Sequence, residues 1–282
     1  MMKIKAIVLD VDGTLLNREK KISSRTKEIL LKAQQQGILL VLASGRPTKG
    51  LIEFGKELRM DDYNGFFVSF NGSKVVEAKT LQERFNAPMT KEQGRAVLEH
   101  LKKFKVIPMI DKEDYMIVNN VFDGILKIEE KEVNIIEHES RGNKYKLCEK
   151  ADLAAFVDYP LNKILTAGEP EYLKEHYTAM MEPFKDTLNC MFTSPFYFEF
   201  TAKGIDKAKA LDAVLKPMGV SGNEMISFGD AQNDVSIIKH AKIGVAMGNA
   251  VDELKEIADE ITTTCDEDGI VLSLLKHIPG LS

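Results

Sequence analysis

A short apolar stretch over residues 4–9, broken only by Lys5, stops at two aspartates one residue apart. Asp10 and Asp12 flank Val11 and are followed at once by Gly13 and Thr14. An apolar run of this length is the pattern of a strand buried on both faces. It therefore places both carboxylates at or just past the carboxyl end of a buried strand, where open α/β sheets bind their ligands. Gly13 permits a tight turn and close approach of a ligand to the backbone, and Thr14 adds a hydroxyl. Two adjacent carboxylates repel and resist desolvation unless a cation compensates them. Mg²⁺ suits that task, because it takes oxygen ligands and usually binds one or two carboxylates together with substrate phosphate. The chemistry suggested is phosphoryl transfer with an aspartate nucleophile. A bare Asp-x-Asp also makes helix-capping surface turns, so the rest of the chain has to decide.

Strand-end polar groups recur. A helix starting at Ser23 and stopped by Gly37 leads to an apolar run over residues 38–43, a βαβ arrangement. That run ends in Ser44, Gly45, Arg46 and Pro47. A hydroxyl and turn N–H groups there suit a phosphate oxygen, while Arg46 can bind phosphate or brace the turn. A third run over residues 65–70 ends in Asn71 and Gly72, followed by a hairpin arm over 73–78. From residue 204 the rhythm returns: a helix with Asp206 as its N-cap and Lys207 in its first turn, then a strand over 225–228 ending in Gly229, Asp230, Ala231, Gln232, Asn233 and Asp234. A cation in the first turn opposes the helix dipole, and such a misfit points to function. A strand over 243–247, a helix over 251–257, an edge strand over 260–263 and a helix over 268–277 close the chain.

Between these halves, residues 84–195 mix amphipathic helices, at about 90–104 and 170–184, with antiparallel strand-like pieces at 106–110, 115–119, 190–193 and 196–200. Residues 124–158 give no assignment. The expectation is a doubly wound, mostly parallel Rossmann-like α/β core from residues 1–83 and 196–282, with an inserted α+β domain over 84–195. A length of 282 residues accommodates two domains.

The net charge of −5 argues against nucleic acid or an anionic membrane as the main partner. Cys148, Cys190 and Cys265 are widely spaced and suggest neither a metal site nor a disulfide framework. A reducing cytoplasm fits them, and no leader or membrane span is expected at the start of the chain. Five scattered histidines read as surface residues.

Asp10-x-Asp12-Gly13-Thr14, Ser44-Gly45-Arg46, Lys207, and Gly229-Asp230-x-x-Asn233-Asp234, in this order, resemble the four motifs of the haloacid dehalogenase-like (HAD) phosphohydrolases. The insertion after the third strand looks like the subclass IIB cap, type C2B. Phe70-Asn71-Gly72 and the stretch over 244–250 resemble the Cof-type sugar-phosphatase branch. The resemblance implies that Asp10 is the nucleophile and a Mg²⁺ ligand. It implies that Asp12 is the acid and base, binding the metal through its carbonyl, and that Asp230 is the remaining metal ligand. Ser44, Lys207 and Asn233, with N–H groups near Val11 and Gly45, would hold phosphate. Asp234 would support the metal's waters or Lys207, and Gly13, Thr14, Arg46 and Asn71 would support the site. Lys203 is the rival for the lysine role. The cap would close over a small phosphorylated metabolite and select the leaving group. A phosphosugar mutase and a non-catalytic phosphate-binding module are the alternatives. The substrate's identity, the cap residues that select it and monomer against homodimer stay open.

Overall fold

The computed structural model describes residues 4–128 and 131–281. The chain forms two compact units, one made of Met1–Phe85 and Asp206–Ser282, the other of Asn86–Ile205.

The first unit begins with β1 (Ala6–Leu9), α1 (Ser24–Gln35), β2 (Leu39–Ala43), α2 (Lys49–Glu57), β3 (Phe66–Ser69), β4 (Lys74–Glu77) and β5 (Glu83–Asn86). The Ser23 hydroxyl caps α1 by accepting from the Thr26 N–H. Parallel pairing of β1 with β2, and of β2 with β3, follows from the helical crossovers, whereas the short turn from β3 to β4 allows only an antiparallel return.

In the second unit α3 (Lys91–Leu101) precedes β6 (Ile107–Lys112), β7 (Tyr115–Val118), β8 (Ile125–Ile128), β9 (Lys131–Asn134), α4 (Ile135–Gly142), β10 (Lys146–Glu149), α5 (Leu153–Phe156), β11 (Ile164–Ala167), α6 (Pro170–Met181), β12 (Leu188–Ser194) and β13 (Tyr197–Ala202). Its six-stranded sheet runs β10-β7-β6-β11-β13-β12. Leu98, Leu101, Leu173 and Met180 cover one face over Ile110, Ile164, Phe198 and Phe200. Ile135, Ile136 and Leu126 cover the other over Met109, Met116 and Leu165. Two features differ from the sequence reading. The boundary expected at residue 195 precedes β13, which is hydrogen-bonded to both β11 and β12, so this unit runs on to Ile205. The unassigned stretch 124–158 holds the β8–β9 hairpin, α4, β10 and α5.

The first unit resumes with α7 (Lys207–Leu215), β14 (Met225–Gly229), α8 (Val235–His240), β15 (Ile243–Ala246), α9 (Asp252–Ile257), β16 (Glu260–Ile261) and α10 (Gly269–His277). Its sheet order is β16-β15-β14-β1-β2-β3-β4-β5, with β1 central and parallel to β14 and β2. Ile29, Leu30, Leu51 and Leu274 pack on Ile7, Leu9, Leu40, Leu42 and Phe228. Ala208, Leu211 and Ile237 pack on Val8, Val41 and Phe66 across the sheet. Helices on both faces of a parallel sheet make the doubly wound α/β core, and each large apolar side chain so buried contributes about 1.5–3 kcal/mol. No described helix is long and apolar enough to cross a membrane.

Candidate active site

Because β1, β2 and β14 run parallel, their carboxyl ends fall on one edge of the sheet, and each ends in polar residues. Asp10 follows β1 and is buried, with its backbone N–H bonded to the Phe228 carbonyl of β14 at 3.0 Å. Lys207, at the start of α7, is buried beneath it. Its Nζ donates to Asp10 Oδ1 at 2.7 Å and to Asp234 Oδ1 at 2.6 Å. The Asp206 side chain caps α7 through the Lys209 N–H, so the helix start is satisfied and Lys207 is directed to the two acids. The rival Lys203 instead donates to the Lys185 carbonyl at 2.8 Å within the other unit.

Asp230 and Asp234 complete the acidic end. Among the described residues, Asp10, Asp230 and Asp234 each offer a carboxylate oxygen within 4.8 Å of the others. Asp234, however, is already committed: one oxygen accepts from Lys207 Nζ, and the other accepts from the Asp230 and Ala231 N–H groups at 3.0 and 3.1 Å. It braces lysine and loop, which leaves Asp10 and Asp230 as the pair of side chains suited to a cation. Gly13 has a φ of +81°, and a Cβ there would lie 2.4 Å from Asp230 Oδ2. Only glycine lets the turn after Asp12 approach so closely. Thr14 donates to Asp230 Oδ1 at 3.3 Å.

The electrostatics follow from burial. Desolvation, then the charge of Asp234, pushes Asp10 well above the ordinary carboxylate range, against the pull of Lys207. Desolvation and Asp234 push Asp230 up to about 7. Lys207 is raised: burial works against its charge, but Asp10 and Asp234 outweigh it. One buried ammonium thus faces three carboxylates, and the excess negative charge with hard oxygen donors fits a divalent cation such as Mg²⁺.

Asp12 is different. Burial would raise it, but Arg46 and Lys20 hold it down to about 2. Arg46 grips it with two bonds, Nε to Oδ2 at 2.6 Å and the terminal NH₂ to Oδ1 at 2.8 Å, and Lys20 Nζ lies 3.0 Å from Oδ1. Of the two roles open to Arg46 in the sequence, the structure shows a contact to Asp12. Lys20 had given no signal in the sequence, since it lies in a polar loop.

Ser44 is buried at the end of β2, and its hydroxyl oxygen accepts from the Arg46 N–H at 3.2 Å, which leaves its own proton to donate. Asn233 Nδ2 donates to Asn71 Oδ1 at 3.0 Å. Val11 is fully buried, its carbonyl accepting from the Leu16 N–H. Asn249, which the sequence reading left without a role, bonds the Gly13 carbonyl at 2.8 Å and accepts from the Cys265 N–H at 3.0 Å. It ties the Asp-rich turn to the loop between β16 and α10.

Comparison with known proteins gives the site a context. A family profile described as haloacid dehalogenase-like hydrolase matches residues 7–274. The chain is 30% identical over 273 residues to the 5-amino-6-(5-phospho-D-ribitylamino)uracil phosphatase YcsE of Bacillus subtilis (strain 168), covering 96% of this chain and 94% of that protein. Among solved structures it resembles a haloacid dehalogenase-like hydrolase from Bacteroides thetaiotaomicron, with a TM-score of 0.87 at 34% identity over 97% of this chain and 99% of that one. It also resembles the HAD subclass IIB sugar phosphatase BT4131, with a TM-score of 0.78 at 26% identity over 96% and 97% of the two chains.

Proposed function

The chain belongs to the haloacid dehalogenase-like hydrolases, subclass IIB of the Cof type, and is a phosphatase; on that premise we propose that it hydrolyses small phosphorylated metabolites, sugar phosphates in particular, through a phosphoryl group carried on Asp10. The observation that carries the reading is the buried Asp10, 2.7 Å from Lys207 and beside Asp230. The names of two relatives, a phosphatase of a phosphoribityl compound and a sugar phosphatase, support a phosphate ester on a polyol or sugar as substrate.

In the first transfer an Asp10 oxygen attacks phosphorus. The bond from phosphorus to the ester oxygen breaks, and that oxygen leaves with the electron pair and takes a proton from Asp12. In the second, Asp12 removes a proton from water, whose oxygen displaces Asp10 and releases inorganic phosphate. Splitting one hard displacement into two is the gain of covalent catalysis. One residue serves as acid and then base because the steps are sequential. Arg46 and Lys20 keep Asp12 in the base form that the second transfer uses, so substrate binding has to draw them off before the first. Lys207, Ser44 and Asn233 donate to phosphate oxygens, as a charge-stabilising cradle requires. Asp10 and Asp230, with the Asp12 carbonyl, would hold Mg²⁺, which when bound neutralises the carboxylates and phosphate oxygens.

Incubation with sugar phosphates tests the reading: free phosphate should accumulate. Conversion to an isomeric phosphosugar without phosphate release would make the protein a mutase instead.

A further inference from the structure

The turn after β3 passes through the left-handed region for three residues in succession: Phe70 at φ 52°, Asn71 at 55° and Gly72 at 99°. A positive φ is uncommon outside glycine, and for a bulky aromatic it is an outlier that the surroundings have to impose. All three residues are buried. The loop between the paired Ser69 and Lys74 has four residues, a length most often built around a type I turn that needs no run of three positive φ angles, so the strain has another cause.

The contacts of the turn identify it. The Asn71 N–H bonds the Ser44 carbonyl and the Phe70 N–H bonds the Arg46 carbonyl, both at 3.0 Å. The Asn71 carboxamide lies against Gly45, where a Cβ would sit 3.2 Å from its oxygen and its nitrogen. That carboxamide oxygen accepts from Asn233 Nδ2 at 3.0 Å. Gly72 lies against the start of α7, where a Cβ would come within 2.3 Å of the Asp206 carbonyl oxygen and 2.8 Å of the Lys207 nitrogen. One three-residue turn thus touches the Ser44 loop, the Lys207 helix and the Asn233 loop.

We infer that Asn71 is the positioning residue of the phosphate cradle, and that the left-handed turn exists to set its carboxamide between Gly45 and Asn233. Holding one amide proton of Asn233 on Asn71 fixes the plane of the Asn233 carboxamide and turns its second amide proton to the ligand. This rests on the phosphatase reading. Asn71 acts through Asn233 and need not touch substrate, which separates it from Ser44 and Lys207.

A double-mutant cycle tests the inference. Asn71→Gly removes the carboxamide while glycine keeps the left-handed backbone at no steric cost. Asn71→Gly, Asn233→Ala and the double variant should each lower kcat/KM for a sugar phosphate by about the same factor, roughly tenfold. Melting temperatures should stay within a few degrees, and the dissociation constant for inorganic phosphate should rise in parallel. In Asn71→Asp, which keeps both the acceptor and the left-handed preference, Asn233→Ala should still cost about tenfold. Additive losses, an unchanged kcat/KM in Asn71→Gly, or an Asn233→Ala effect that vanishes in Asn71→Asp would overturn it. Asp10→Asn runs alongside: loss of turnover there keeps the phosphatase reading whatever the cycle gives, and full turnover there overturns both.

Discussion

Lys207 Nζ sits 2.7 Å from Asp10 Oδ1 although 197 residues separate them in the chain. The contact joins the first strand of the core to the helix that re-enters it after the second unit, and both side chains are buried. An ammonium there is the charge that makes a buried carboxylate tolerable. Removing one partner of a buried pair typically costs about 3–5 kcal/mol.

Lys207→Met should therefore lower turnover by at least about a hundredfold, as loss of a preorganised positive donor does, and also lower the melting temperature. Lys203→Met should change neither, because Lys203 bonds the Lys185 carbonyl within the other unit. Steady-state rates and thermal unfolding of the two variants check this; lost turnover in the Lys203 variant would reassign the lysine.

Metal and pH are linked at this site. Folding lifts Asp230 from 3.8 to about 7, and raises Asp10 as well. Between those values the folded protein binds more protons than the unfolded chain, so without metal its stability falls as pH rises through the window. Asp12, lowered from 3.8 to about 2, acts oppositely but only in that more acidic range. A divalent cation held by Asp10 and Asp230, as proposed, would replace the protons. The rise in melting temperature on adding Mg²⁺ to chelator-treated protein should be larger at pH 8 than at pH 5. Equal shifts at both pH values would contradict the assignment of Asp10 and Asp230 as ligands.

Gly13→Ala forces a Cβ to within 2.4 Å of Asp230 Oδ2 at a φ of +81°. A residue with a Cβ in the left-handed region costs roughly 1–2 kcal/mol before any collision. Weakened Mg²⁺ binding with a lowered melting temperature is expected from calorimetry and thermal unfolding. Wild-type metal affinity would show that Asp230 is not held by this turn.

In the second unit Lys163 donates to Glu199 at 2.9 Å, and both side chains are almost fully buried. Lys163→Met should destabilise by about 3–5 kcal/mol, and adding Glu199→Gln should recover most of that, because the unpaired charge rather than the missing bond is the main cost. Chemical denaturation of the three proteins measures it, and an additive loss would refute the pairing.

What the sequence disclosed follows physical lines. The central strands β1, β2 and β14 were legible because each is a mostly apolar run, such as residues 6–9, ending at once in polar residues, whereas the edge strand β5 has no such run and was not read. The helix of Lys207 was legible from its Asp206 cap, and the lysine stood out as a cation placed against the dipole. In the second unit β11, buried on both faces in the middle of the sheet, was not read as a strand. It has four residues, too few to show a period, and lies between polar Lys163 and Gly168. The β8–β9 hairpin carries charges on exposed positions, so neither alternation nor an apolar run marks it. The grip of Arg46 on Asp12 and the bond from Asn249 to Gly13 span 34 and 236 residues. Contacts of that range leave no local pattern.

The most direct measurement is phosphate release from a panel of sugar phosphates and other small phosphometabolites, by wild type and by Asp10→Asn, with Mg²⁺ and with excess chelator. Release is expected only from the wild type with Mg²⁺ present, and none above background from Asp10→Asn, which still folds because the substitution relieves carboxylate repulsion. Release by Asp10→Asn at the wild-type rate would contradict the role proposed for Asp10.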